Sequence, residues 1–197
     1  MSSSIKTLEH LFISKVRIKT LEYFLLNPTE SIHLRGAVRE FNEEINAVRR
    51  ELTRLEELKL VTVEDKGNRK YFTLNLDHQF IPELTSLFHK SYGLGAEIIN
   101  NKSKLGNVTF AFLTPYFTRD FAFGQNLIDL VIIGKVDLPT LERLVSKAQE
   151  KRKREIHYTV MSESEFQTRK RRGDSFILDL LIQDNCMLIG NVSNLIQ

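Results

Sequence analysis

The stretch Asn46–Asn75, NAVRRELTRLEELKLVTVEDKGNRKYFTLN, joins a helix-like segment to a short hairpin, and its basic residues are unevenly placed. At about 100° per residue on a helix, Val48, Leu52 and Leu55 fall together and face inward. Asn46, Arg50, Thr53 and Arg54 then point to the opposite side, with Arg49 at its margin. Val61 to Glu64 and Tyr71 to Leu74 alternate like two strands joined through DKGN, where Gly67 and Asn68 can accept positive φ. Lys66, Asn68, Arg69 and Lys70 gather at the tip, where they can touch backbone phosphate. An arginine fork suits the edge of guanine, and an asparagine amide suits adenine. The outer face of this helix therefore has the chemistry to read base edges. Glu51, Glu56 and Glu57 lie on the same helix and offer the plainer alternative of intrahelical ion pairs on a solvated surface.

The residues before this stretch supply its setting. SIKTLEHLF reads as a short amphipathic helix with Ile5, Leu8, Leu11 and Phe12 on one side. Ser14 can cap a second helix, KVRIKTLEYFLL, whose Val16, Leu21, Phe24 and Leu25 keep helical spacing and which ends at Asn27-Pro28. SIHL is extended, RGAVREF is helical, and the turn NEE leads into the arginine-bearing helix from about Glu44. Two helices joined by a tight turn, the second carrying a polar outer face, match the helix-turn-helix layout, in which the second helix enters the major groove. A basic hairpin directly after that pair is a more specific combination than either part.

IHLRGAVREFNEEINAVRRELTRLEELKLVTVEDKGNRKYFTLN resembles the winged helix-turn-helix regulators of the arsenical-repressor type. The likeness lies in the helix, the following L..LE..LV run, the glycine-bearing hairpin and the closing YFTLN. It implies that Ala47, Arg49, Arg50 and Thr53 lie near the base-reading surface and that Lys66, Asn68 and Arg69 form the wing. It also implies double-stranded DNA as the partner and a homodimer on a two-fold operator. Glu43 and Glu44 depart from the pattern by placing acids beside the approaching DNA. Cysteines for soft-metal sensing are absent from the chain, whose one cysteine is Cys186.

From about His78 the composition changes. FIPELTSLFHKSYGL reads as a connecting helix with Ile81, Leu84, Leu87 and Phe88 on one side, and a second helix lies near AEIINNKSKL. Strands at NVTFAFL, LIDLVII, EIHYTVM and CMLIG alternate with helices at LPTLERLVSKAQEKR, after Ser162 and across SFILDLLIQ, which argues for an α/β domain. The expected division is 1–77 for the winged helix, 78–106 for connecting helices and 107–197 for the second domain, an α+β chain ending in an α/β unit.

AFLTPYFTRDFAFGQNLIDLVIIG resembles the core of minimal nucleotidyltransferase domains. Working members place Gly-Ser at a helix start to receive a triphosphate and Asp-x-Asp on the next strand to hold Mg²⁺. Here Pro115 and Tyr116 stand at the glycine and serine positions, and Leu127-Ile128-Asp129 replaces the acid pair. Proline has no N–H for a phosphate, tyrosine fills the space serine leaves, and one carboxylate is a poor clamp for an ion that wants several hard oxygens. The expectation is a catalytically inactive domain with no cofactor, serving as a sensor of a nucleotide-like effector or as an assembly module. The alternative is an active nucleotidyltransferase with altered residues, of the kind found in toxin–antitoxin pairs.

Totals narrow the field less. The 197 residues carry 42% hydrophobic and 27% charged side chains, ordinary for a folded protein, and a net charge of +3. That charge is too small to identify an anionic partner. A single cysteine excludes an intrachain disulfide, and the histidines lack metal-ligand spacing. The start, MSSSIKTLEHLF, lacks a signal-peptide core, and no apolar run approaches a membrane span, so a cytoplasmic location without membrane contact is expected. The basic runs at 147–155 and 169–172 read first as solvated helix ends.

Overall fold

The computed structural model describes residues 3–119 and 128–196, with side chains from Thr7 onward. Leu127, one position of the altered acid pair, lies outside the described residues, as does the Ile5 side chain. The fold is mixed α+β, with one sheet of three strands and one of four. The chain divides into two compact units, 1–91 and 92–197.

In the first unit, α1 (Ser3–Phe12) and α2 (Lys15–Leu26) precede β1 (Ser31–His33), α3 (Leu34–Phe41) and α4 (Ile45–Glu57). The hairpin β2 (Val61–Lys66) and β3 (Arg69–Leu74) follows, then α5 (Ile81–Ser91). Leu8 is buried and Phe12 packs on Phe88 of α5 at 5.9 Å between ring centroids, whereas Leu11 is 64% exposed. The apolar stripe read from the sequence is thus narrower than expected, because only its Leu8–Phe12 flank meets α5. Ser14 caps α2 by accepting the Arg17 N–H, and Asn27 closes its other end. Asn42 turns the chain between α3 and α4 through a left-handed conformation at φ 49°. Lys19 pins that turn by donating to Phe41 O and to the Glu43 carboxylate at 2.8 and 2.6 Å.

The sheet of this unit runs β1-β3-β2, antiparallel throughout. Strand periodicity sends Ile32, Val61, Phe72 and Leu74 into the core and leaves His33, Thr62, Glu64, Lys66, Arg69 and Tyr71 on the other face. The strands run two residues closer to the tip than the alternation suggested, leaving only Gly67 and Asn68 as the loop. Gly67 alone takes positive φ there, at 61°. A two-residue loop with glycine first needs a positive φ only at that position, so Asn68 need not follow.

The second unit begins with α6 (Gly93–Asn100), so the 78–106 segment is shared: α5 belongs to the first unit and α6 to the second. Then come β4 (Gly106–Leu113), α7 (Pro115–Thr118), β5 (Leu130–Val136), α8 (Leu138–Arg152), β6 (Tyr158–Met161), α9 (Glu163–Arg171), α10 (Ser175–Ile182), β7 (Cys186–Ile189) and α11 (Val192–Ile196). The sheet order is β6-β5-β4-β7, with β5 parallel to β6 and β4 antiparallel to both its neighbours. β5 is buried on both faces: Leu130 and Ile132 join one apolar cluster, Val131 and Ile133 the other. That is why its sequence is a continuous apolar run rather than an alternation. It begins at Leu130, after Ile128 and Asp129, rather than at Leu127 as the run suggested. Among the described residues no helix is long and apolar enough to cross a membrane.

Candidate nucleic-acid interface

Helix α4 owes its position to one apolar stripe and one buried acid. Val48, Leu52 and Leu55 are at most 3% exposed. Glu51, on the same inner side, is 6% exposed and accepts from Arg17 of α2 at 3.0 and 3.2 Å. Arg54 pairs with the same carboxylate. The hydrogen bonds to Glu51 hold the Arg17 guanidinium above its ordinary value. Glu44 caps the helix by accepting the Ala47 N–H at 2.9 Å. Backbone bonding from Asn46 and Ala47, with Arg50 and Arg49 nearby, keeps the Glu44 carboxyl below the ordinary glutamate value.

Asn46, Arg49, Arg50, Thr53 and Arg54 are all exposed, and Ala47 is half-buried among them. Asn46 and Arg49 are joined by a 2.9 Å hydrogen bond. Arg50 has no ion-pair partner among the described residues, whereas Arg54 is turned back on Glu51. The intrahelical alternative therefore accounts for one arginine of the three. Glu43 and Glu44, the two acids of the turn, are engaged by Lys19 and by the helix start.

On the hairpin, Lys66, Asn68, Arg69 and Lys70 are exposed. Lys66 pairs with Glu64 at 2.9 Å and lies 5.7 Å from the Tyr71 ring centre. Arg69 Nη1 stands 3.1 Å from His33 Nε2, while His33 Nδ1 caps α3 by accepting the Gly36 N–H at 2.7 Å.

In the second unit, Asp129 is 2% exposed, just before β5. Its carboxylate accepts from Arg154 at 2.9 and 3.3 Å and from the His157 N–H at 2.9 Å. Its backbone carbonyl accepts the Thr114 N–H at 3.0 Å, which sets Asp129 against the junction where Pro115 and Tyr116 open α7. The Arg152 and Arg154 guanidinium groups lie 4.2 and 5.5 Å from the Phe117 ring centre. A cation thus already occupies the carboxylate from one side and a backbone amide from another. No cluster of three or more metal-ligating side chains occurs among the described residues.

No family model, curated protein or solved structure matches this chain.

Three residues of these sites were not singled out from the sequence. Glu51 was grouped with the solvent-facing acids, although its place one turn before Leu55 and beside Leu52 was a signal of burial. Arg154 was counted within a solvated basic run. His33 was one of five scattered histidines, and only the pairing of β1 with β3 brings it to Arg69.

Proposed function

We propose that the protein is a sequence-specific, double-stranded-DNA-binding transcriptional regulator of winged helix-turn-helix type. The observation that carries this reading is the exposed polar face of α4, with Asn46, Arg49, Arg50 and Thr53 free of carboxylate partners among the described residues. Support comes from the tight α3–α4 turn and from the basic hairpin that directly follows. In this reading α4 enters the major groove and the wing residues Lys66, Asn68, Arg69 and Lys70 contact phosphates. The regulator acts as a homodimer on half-sites about 34–36 Å apart.

The second unit is, in the same proposal, a nucleotidyltransferase-like module without catalysis. Its order of strand, helix, antiparallel strand, helix and parallel strand, with Asp129 leading into the central strand, supports the likeness. The Arg154 and His157 bonds to Asp129 leave that carboxylate little capacity for Mg²⁺.

Selection of bound fragments from a genomic library, followed by titration of the recovered site and a random duplex, tests the regulator. Arg50→Ala is expected to reduce the preference for the selected site by about 1–3 kcal/mol. Arg69→Ala is expected to weaken both duplexes and lower the salt slope by about one. Wild-type behaviour of both variants on both duplexes would overturn the assignment of the face.

A further inference from the structure

We propose that His33 and Arg69 form a two-donor clamp for a single phosphodiester oxygen of duplex DNA. This rests on the DNA-binding reading above and adds to it a residue outside α4 and the wing.

The argument begins with the proton on the imidazole. His33 Nδ1 accepts the Gly36 N–H at 2.7 Å, so that nitrogen presents its lone pair. A neutral imidazole then carries its proton on Nε2. Nε2 is 3.1 Å from Arg69 Nη1, and a guanidinium has donors only. Two N–H groups therefore face the same point, a contact that is unfavourable until an acceptor with more than one lone pair joins them. An oxygen of a phosphodiester does so, and its charge suits the guanidinium.

No protein acceptor fills this role. Among the described residues no carboxylate pairs with Arg69, and Glu64, the acid on the same sheet face, is taken by Lys66. The ring is also held in place. It packs on Tyr71, directly opposite in the β1–β3 register, at 5.3 Å between centroids. Gly36 leaves room for it: a Cβ there would come within 3.0 Å of Nδ1 and 3.2 Å of Cε1. The donor pair is thus aimed outward by a strand, a helix start and a glycine, while Ile32 and Phe72 anchor the same strands from behind. Lys66, paired across from Arg69, adds positive charge beside the clamp.

The test uses the full-length chain, the fragment selected by it and a random duplex of equal length. His33→Asn keeps a side-chain oxygen to cap α3 but removes the Nε2 donor; Arg69→Gln removes the charge. Each is expected to weaken both duplexes by about five- to tenfold, and the double variant by no more than the worse single one, since a shared oxygen is lost once. Arg69→Gln should lower the salt slope by about one, whereas His33→Asn should leave it unchanged, because a neutral ring displaces no counterion. With ¹⁵N-labelled histidine, duplex should shift the His33 Nε2 resonance in the wild type and not in Arg69→Gln, a readout independent of whether His33→Asn folds well.

Losses that simply add, or variants that bind like the wild type, would overturn the clamp. If Arg50→Ala still loses discrimination in that case, the regulator reading survives and only the clamp falls. Failure of the wild type to bind any duplex removes both. A resonance shift produced by inorganic phosphate but not by duplex would mean a small phosphate ligand instead, and overturns the assignment to DNA.

Discussion

Glu51 stands on α4 between Arg50 and Leu52, with its carboxylate enclosed by Arg17 and Arg54. By charge it belongs outside, and by position it belongs with Val48, Leu52 and Leu55. The structure satisfies both demands by bringing a cation from α2 to the inner side of α4. Replacing it by alanine leaves Arg17 without its partner and loosens the α2–α4 junction. The expected loss is about 1–3 kcal/mol in chemical denaturation, less than for a fully buried pair because both arginines keep solvent contact. Asp129 is the parallel case in the second unit. Asp129→Ala strands the Arg154 guanidinium and the His157 N–H, and should cost about 2–4 kcal/mol by the same measurement. Sequence reading placed the outward arginines correctly on the exposed side, because helical spacing alone decides that. It did not find the partners of Glu51 and Asp129, which lie 34 and 25 positions away in the chain. Local pattern carries no record of such distances.

At the scale of elements, helix starts are where sequence and structure agree most closely. Ser14, Glu44, Asp137, Ser162 and Asp174 each accept an N–H from the first turn of their helix. Ser14, Glu44 and Ser162 were readable because a cap and its helix are sequence neighbours. The acidic caps make a pH prediction. Glu44 is held below its ordinary value in the folded state, so the unfolded chain takes up its proton first as pH falls. Its stabilisation is complete above the ordinary glutamate range and is lost as pH drops through the lowered folded-state value. Thermal unfolding between about pH 6 and pH 3 should therefore fall less steeply in Glu44→Gln than in the wild type. A second prediction concerns the β4–β5 pair. Gly134 lies at φ 138°, and a Cβ there would meet Asn107 O at 2.4 Å and Val108 Cα at 3.0 Å. These are backbone atoms at a register shift between Val108 and Phe110, so they cannot turn aside. Gly134→Ala should destabilise the second unit by about 2 kcal/mol or more, read from urea midpoints. The irregularity itself was invisible in NVTFAFL, whose apolar pattern is compatible with an unbroken ladder.

For the whole molecule, the proposal of an inactive second unit has a direct thermodynamic consequence. A ligand that binds only the folded protein must raise its midpoint. Mg²⁺, with or without a nucleoside triphosphate, is expected to leave Tm where Mg²⁺-free buffer leaves it, since Arg154 and the His157 N–H already occupy the Asp129 oxygens. A Mg²⁺-dependent rise that vanishes in Asp129→Asn would contradict the proposal. Each unit also owns its apolar interior, the second with a cluster on either face of β5. Residues 92–197 expressed alone should therefore unfold cooperatively in denaturant, with far-ultraviolet circular dichroism as the readout.

The amino-acid order alone settled the kinds and sequence of the elements, the inner stripe of α4, the two-residue loop chemistry at Gly67 and the change of character after His78. These depend on neighbours within a few positions, where period and cap chemistry act. Only the tertiary structure decided that β4 runs antiparallel to both its partners, that α5 and α6 belong to different units, that Arg154 takes the Asp129 carboxylate, and that His33 meets Arg69. Each of these joins distant parts of the chain through the burial of apolar faces, which are nonspecific about partners until a whole core is packed.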